Sequence, residues 1–213
     1  MNCKIVGYEY KSLEVTLAPS ESFYSERQSI VYLDAAIQRE VEINASGSGV
    51  GGKLGGIVKS ALSGESILII RFYNPTNSDK KIVLSGSCCS IFPVKLQGES
   101  LICRKGLYVA STNKINLNVN LSISGIIGGF FQKIEGNATV FLDSFGTPIE
   151  KNLTYGEMLE VDENHVIALH GFQSNQIQKG WSVGNVLSGE GVSMMKLQGP
   201  GKLYLSPIPI PKS

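Results

Sequence analysis

The feature that most constrains this chain is an internal repeat. Two kinds of segment recur three times, in alternation. The first is Glu21-Ser-Phe-Tyr-Ser-Glu-Arg-Gln-Ser-Ile30-Val-Tyr. It aligns without gaps to Glu99-Ser-Leu-Ile-Cys-Arg-Lys-Gly-Leu-Tyr108-Val-Ala and to Glu157-Met-Leu-Glu-Val-Asp-Glu-Asn-His-Val166-Ile-Ala. Each is a Glu, a short apolar stretch, a polar turn and a second apolar stretch, which predicts a hairpin or a corner between strands. The second kind is Gly191-Val-Ser-Met-Met-Lys196-Leu-Gln-Gly199-Pro-Gly-Lys-Leu-Tyr-Leu205. It aligns to Gly128-Gly-Phe-Phe-Gln-Lys133-Ile-Glu-Gly136-Asn-Ala-Thr-Val-Phe-Leu142. Gly64 to Phe72 matches up to the turn, and a longer loop over 73–80 then precedes Ile82-Val-Leu84. Gly199-Pro-Gly201 and Gly136-Asn137 supply turn chemistry. The reading is hairpin, hairpin, three times over.

Most of the chain is short runs of β-branched residues and Leu cut by Gly, Asn, Asp and Ser, an all-β pattern. A unit this short cannot bury its apolar faces alone, so the copies must pack on one another. We therefore expect one all-β domain over residues 1–213, a double-stranded β-helix or β-sandwich of three internal β-repeats. The units cover about 13–90, 91–148 and 149–207, with a polyproline-like extended tail over 207–213. One stretch breaks the pattern. After the run Gly47-Ser-Gly-Val-Gly-Gly52, apolar residues at 54, 57, 58, 61 and 62 have helical spacing. A flexible loop and a short helix near 53–62 follow from it, and no other helix is expected.

Composition excludes several classes. Hydrophobic residues make up 42% of the 213 positions, enough for a core and against disorder. The net charge of +1 steers the chain to neither nucleic acid nor anionic membrane. The aromatics are scattered, with no basic and aromatic interleaving of the RNA-recognition kind. The first residues lack a signal peptide's apolar core, and the longest apolar runs fall far short of the roughly 20 residues of a membrane span. A cytoplasmic protein with no transmembrane segment is expected. Cys3, Cys88, Cys89 and Cys103 fit neither a zinc spacing nor a disulfide framework, so reduced thiols are expected.

Candidate chemistry is sparse. Gly47-x-Gly49-x-x-Gly52 fits a dinucleotide fingerprint and Gly47-x4-Gly52-Lys53 most of a phosphate loop. Yet Leu54 stands where a magnesium-binding Ser or Thr belongs, and no βαβ units surround it, so nucleotide binding is not expected. The role of the glycine-rich loop 47–56 stays open. His165 and His170, five apart, do not form a ready metal pair. His165 is expected in an exposed turn. Glu21, Glu99 and Glu157 recur at equivalent places, which points to acceptors for turn amides. Glu65 and Glu190 are further carboxylates of interest. Arg71, Lys133 and Lys196 also recur and read as a solvated strand face. No catalytic, cofactor-binding or metal-binding residue is assigned, and no cofactor.

Several motifs carry a resemblance. They are Leu62-Ser-Gly64-Glu65-Ser66 after the glycine-rich stretch, Gly106-Leu-Tyr-Val-Ala-Ser111, Gly189-Glu-Gly191, and Leu197-Gln-Gly199-Pro-Gly-Lys-Leu-Tyr-Leu205-Ser206. In order and spacing the chain resembles, from Leu13 to Ser206, the altered inheritance of mitochondria protein twenty-four, or mitochondrial biogenesis, family. It departs at Lys59, where Arg is expected, and at Asn137-Ala138. The resemblance implies a double-stranded β-helix or β-sandwich similar to the trp RNA-binding attenuation protein fold, repeated within one chain. It brings no catalytic residues, and likeness to an RNA-binding fold does not imply RNA binding. Eukaryotic members look like mitochondrial inner-membrane organisers.

The expected function is a non-enzymatic scaffold or binding protein. A cupin-like small-ligand binder or enzyme is the alternative, and a nucleic-acid-binding ring the second. Strand edges in a chain with only 17% charged residues call for self-association. A homo-oligomer is expected, a trimer first, with 54–62 and Ile126 to Phe131 as candidate surfaces. Protein partners are not identified by the sequence.

Overall fold

The structure is a computed structural model, and it describes residues 1–26, 29–44, 67–118, 131–184 and 191–211. The expected helix near 53–62, the glycine run, Lys59, Glu65 and Glu190 lie outside the described residues. The described chain is nearly all β. Strands β1 (Asn2–Val6), β2 (Ser12–Leu17), β3 (Ser22–Glu26), β4 (Ile30–Leu33), β5 (Gln38–Asn44), β6 (Ile67–Tyr73) and β7 (Lys80–Ser85) come first. Then follow β8 (Ser90–Gln97), β9 (Leu101–Arg104), β10 (Tyr108–Ser111), β11 (Asn116–Asn118), β12 (Phe131–Glu135) and β13 (Asn137–Ser144). The last six are β14 (Ile149–Leu153), β15 (Met158–Asp162), β16 (Val166–His170), β17 (Ile177–Gly184), β18 (Gly191–Gln198) and β19 (Gly201–Leu205). Two single 3-10 turns, Glu163–His165 and Ser174–Gln176, are the described helical pieces.

All pairing is antiparallel, in four sheets. Sheet I has the order β1-β2-β7-β4, sheet II β5-β6-β3-β10-β13-β8, sheet III β11-β12-β9-β16-β19-β14, and sheet IV β15-β18-β17. One pairing scheme runs through the strand sets β2–β7, β8–β13 and β14–β19. In each, the first strand pairs the sixth, the sixth the third, the second the fifth, and the fifth the fourth. The register slips at the same place each time: between Ile30 and Tyr32, Tyr108 and Ala110, and Val166 and Ala168. These are β-bulges, with Val31, Val109 and Ile167 as the extra residues. One backbone bond also recurs at matching positions. The amides of Ser85, Asp143 and Ser206 donate to the carbonyls of Ser29, Leu107 and His165 at 2.7, 2.8 and 2.7 Å.

Of the hairpin or corner expected for the first kind of segment, the corner is what forms, and the hairpins expected for the second kind need correcting. β3 and β4 lie in different sheets, as do β9 and β10, and β15 and β16. The same is true of β6 and β7, β12 and β13, and β18 and β19. Each of these bends is a corner. The reason is burial: a hairpin keeps both strands in one layer with one face uncovered, whereas a corner sends the chain to the facing layer, and both apolar faces meet.

The core divides accordingly. Leu13, Leu17 and Leu84 of sheet I meet Phe23, Phe72 and Phe141 of sheet II. Val94, Tyr108 and Leu142 of sheet II meet Leu101, Ile134 and Ile167 of sheet III. Phe131, Leu169 and Leu203 of sheet III meet Val161, Met195 and Leu197 of sheet IV. Sheets II and III thus carry core on both faces, and sheets I and IV on one. The tail is anchored: Ile210 is buried with the central cluster, and its amide donates to the Asn164 carbonyl at 2.8 Å.

Candidate functional site

The two six-stranded sheets are composites. In sheet II, β10 joins β3 through Ala110↔Ser25 and Ser111↔Tyr24. In sheet III, β16 joins β9 through Ala168↔Cys103, Leu169↔Ile102 and His170↔Leu101. The third strand of one set therefore docks on the second strand of the set before it. Two strands of these classes have no such partner among the described residues: β4, at the end of sheet I, and β15, at the end of sheet IV. β4 reads Ile-Val-Tyr-Leu, with Val31 55% and Tyr32 52% exposed. β15 reads Met-Leu-Glu-Val-Asp, with Met158 50% exposed. β4, apolar and without Lys or Pro, is the kind of edge that recruits another strand, whereas β15 carries the carboxylates Glu160 and Asp162.

The repeated glutamates share one task. Glu21 accepts the Ala18 amide at 2.8 Å, Glu99 the Gln97 amide at 2.8 Å, and Glu157 the Thr154 amide at 3.0 Å. Glu21 also pairs with the N-terminal ammonium of Met1, and Glu157 with Lys151 at 3.0 Å. Each carboxyl is held below its ordinary pKa: by the ammonium first for Glu21, and by the Gln97 and Thr154 amides for Glu99 and Glu157. All three cap the turn that precedes the second strand of a set, and the structure does not bring them together as an acid–base pair. The repeated cations lie at one equivalent place on β6, β12 and β18. Arg71 meets Glu40 at 3.0 Å, and Lys133 meets Glu135 at 2.6 Å.

The histidines stand at opposite ends of β16, which at about 3.3 Å per residue is roughly 16 Å long. His165 is half-buried, not in an exposed turn, because its Nδ1 lies 2.7 Å from the Ser206 carbonyl, where β19 ends. His170 has Nε2 at 3.9 Å from the Glu99 carboxylate, and burial holds its imidazole below the usual value. The cysteines are all free. Burial pushes the Cys3 thiol up to about 11 and the Cys88 and Cys103 thiols up to about 12. They are poor nucleophiles at neutral pH. Among the described residues, no three His, Cys, Asp or Glu side chains are grouped to hold a metal ion.

One buried acid was missed by the sequence reading. Asp143, the last residue but one of β13, is buried. Its Oδ2 accepts the Cys88 amide at 2.6 Å, and its Oδ1 accepts the Ser144 amide at 3.0 Å. Burial raises its pKa against these amides, which lower it. Its carboxylate packs onto the bare Cα of Gly86, where any Cβ would collide with it. A cavity of about 140 Å³ opens beside it, lined by Glu26, Ser29, Ser85, Gly86 and Tyr108 among others. The buried Tyr108 hydroxyl is satisfied by Ser111 Oγ at 3.0 Å. The signal was available: Ser85 in the first set and Ser206 in the third stand where the second set has Asp143, so the acid is the odd member of a repeated position.

Comparisons with known proteins agree on the family and the fold. An uncharacterised protein of Streptococcus pyogenes serotype M6 is 26% identical over 205 residues, covering 92% of this chain and 81% of that protein. The crystal structure of a Streptococcus pyogenes protein superposes with a TM-score of 0.70 at 24% identity, over 98% of this chain and 94% of that one. No helix among the described residues is long and apolar enough to cross a membrane. The family model for mitochondrial biogenesis AIM24 matches residues 3–208, and the chain belongs to that family.

Proposed function

We propose that this protein is a non-enzymatic binding module that works as a self-assembled scaffold, built from three copies of one six-stranded unit. The observation that carries the reading is the pair of edges, β4 and β15, that have no outer partner among the described residues, where the other strands of those classes are paired on both sides. An apolar edge left in water invites uncontrolled association, and closed self-assembly is a common way of covering it. The side chains with chemical potential are committed elsewhere. The repeated glutamates cap turns, the buried thiols are held protonated, and Asp143 is saturated by backbone amides. A homo-oligomer follows, with a trimer as the first expectation and the cytoplasm as its site of action.

Size exclusion coupled to light scattering tests the assembly. The expected mass is a multiple of 22.9 kDa, about three chains. A mass of one chain, unchanged across micromolar concentrations, overturns the reading. Capture of native partners on the assembled protein then tests the binding role.

A further inference from the structure

The two internal joints share one register. Counting from the repeated glutamate, the fourth residue on (Ser25, Cys103 or Val161) lies in the second strand of its set. The eleventh residue on (Tyr32, Ala110 or Ala168) lies in the third. The joints pair Ser25 with Ala110 and Cys103 with Ala168, so in both the fourth-on residue faces the eleventh-on residue of the next set. The rule leaves Val161 without its partner at one end of the molecule and Tyr32 without its partner at the other. Sheets I and IV are two half-sheets in the same sense. Placing β15 beside β4 gives the order β17-β18-β15-β4-β7-β2, the strand-class order of sheets II and III, with β1 added beyond β2.

Resting on the self-assembly reading above, we infer that a second copy of this chain docks its β4 along β15 of the first, antiparallel, with Tyr32 opposite Val161, Leu33 opposite Glu160 and Asp34 opposite Leu159. The occupant is another copy because both half-sheets end in the strand class that the internal joints show to be complementary. The two edges of a single copy are not paired with each other, and sheets I and IV share no core cluster. The contact joins two different surfaces, so it is head-to-tail. It closes into a ring when the rotation per copy divides a full turn, and three copies make the trimer when that rotation is a third of a turn. Two side chains distinguish this joint from the internal ones: Glu160 stands where Tyr24 and Ile102 stand, and Tyr32 replaces a small residue. Tyr32 stands where the buried Ala110 and Ala168 stand, and it would lie against Val161, an aromatic and β-branched pair of the favourable kind.

Paired cysteines test the register. Residues directly opposite in an antiparallel pair have Cα atoms about 4.5–5.5 Å apart, within disulfide reach. The full chain carrying Leu33→Cys with Glu160→Cys is oxidised and run without reductant, and linked peptides are identified by mass spectrometry. The expected result is a 33–160 link between copies, giving a ladder of multimers. The shifted pair Leu33→Cys with Met158→Cys links far less. Tyr32→Lys, at an exposed position, is expected to keep the β circular dichroism while the mass falls to one chain. Oligomers in light scattering with no 33–160 link overturn this docking and leave self-assembly standing. A 33–160 link within one chain overturns the second copy as occupant. A monomeric unmodified protein overturns both.

Discussion

At the scale of single residues, the buried Asp143 is the most sensitive position outside the apolar core. Both oxygens accept backbone amides, from Cys88 and Ser144. Asn cannot accept at both, so Asp143→Asn leaves one buried N–H facing an amide group. The expected loss is about 1–3 kcal/mol of unfolding free energy, measured by urea titration. Gly86→Ala forces the same carboxylate aside, since a Cβ there meets the Asp143 carboxyl group. The two changes disrupt one contact, so in a double-mutant cycle the pair should cost clearly less than the sum. Additivity would show that the loop over 86–88 does not depend on Asp143. The glutamates set the acid side of stability. The ordinary value is 4.5, and Glu21, Glu99 and Glu157 are all lowered in the fold. A lowered carboxylate contributes stability that is present above pH 4.5 and is lost as pH falls through the folded value. Replacing Glu99 and Glu157 by Gln should therefore flatten the fall of melting temperature below that pH. An unchanged acid slope would mean that the turn amides are satisfied by water instead.

At the scale of elements, the corners decide what was legible. The gapless alignment from Glu21, Glu99 and Glu157 located β3, β9 and β15 and the strands after them, because apolar runs and polar turns are local signals. Sheet membership was not legible. Whether Ile30 to Leu33 folds back on β3 or crosses to β7 depends on which apolar face it must cover, a property of layers that are distant in sequence. The partner of Ala110 is Ser25, far upstream, and no local pattern names it. The candidate surfaces read from the sequence fared differently. Of Ile126 to Phe131, only Phe131 is among the described residues, and it is buried in the core between sheets III and IV. Residues 54–62 lie outside the described residues. The edges β4 and β15 became visible only through the strand pairing. A corner also carries its own test. A Cβ at Gly201, where β18 gives way to β19, would run into the fully buried Phe172 ring. Overpacking of this kind costs about 1–3 kcal/mol, so Gly201→Ala should lower the urea midpoint.

At the scale of the whole molecule, the layer order dictates how stability is distributed. Sheets II and III hold core on both faces, through two separate clusters each. Sheets I and IV hold core on one face, and their strands β4 and β15 are paired on one side only among the described residues. Opening β4 breaks its bonds to β7 alone, and opening β15 breaks its bonds to β18 alone. Opening β10 or β16 breaks bonds on both sides and disturbs the central cluster. Local opening free energy follows the number of buried contacts and ladder bonds lost. Amides of β9, β10, β13 and β16 should therefore exchange slowest with deuterium, and those of β4 and β15 fastest among the strands, when the protein is dilute. Association changes only one part of that order. A strand added along β4 or β15 satisfies the amides on its open side, and mass action makes that protection depend on protein concentration. Raising the concentration through the assembly range should slow exchange in β4 and β15 together, with β9 and β10 unchanged. Protection that rises in one of the two strands alone would contradict a contact made of both. Protection that rises uniformly through all four sheets would place the contact between copies elsewhere on the molecule.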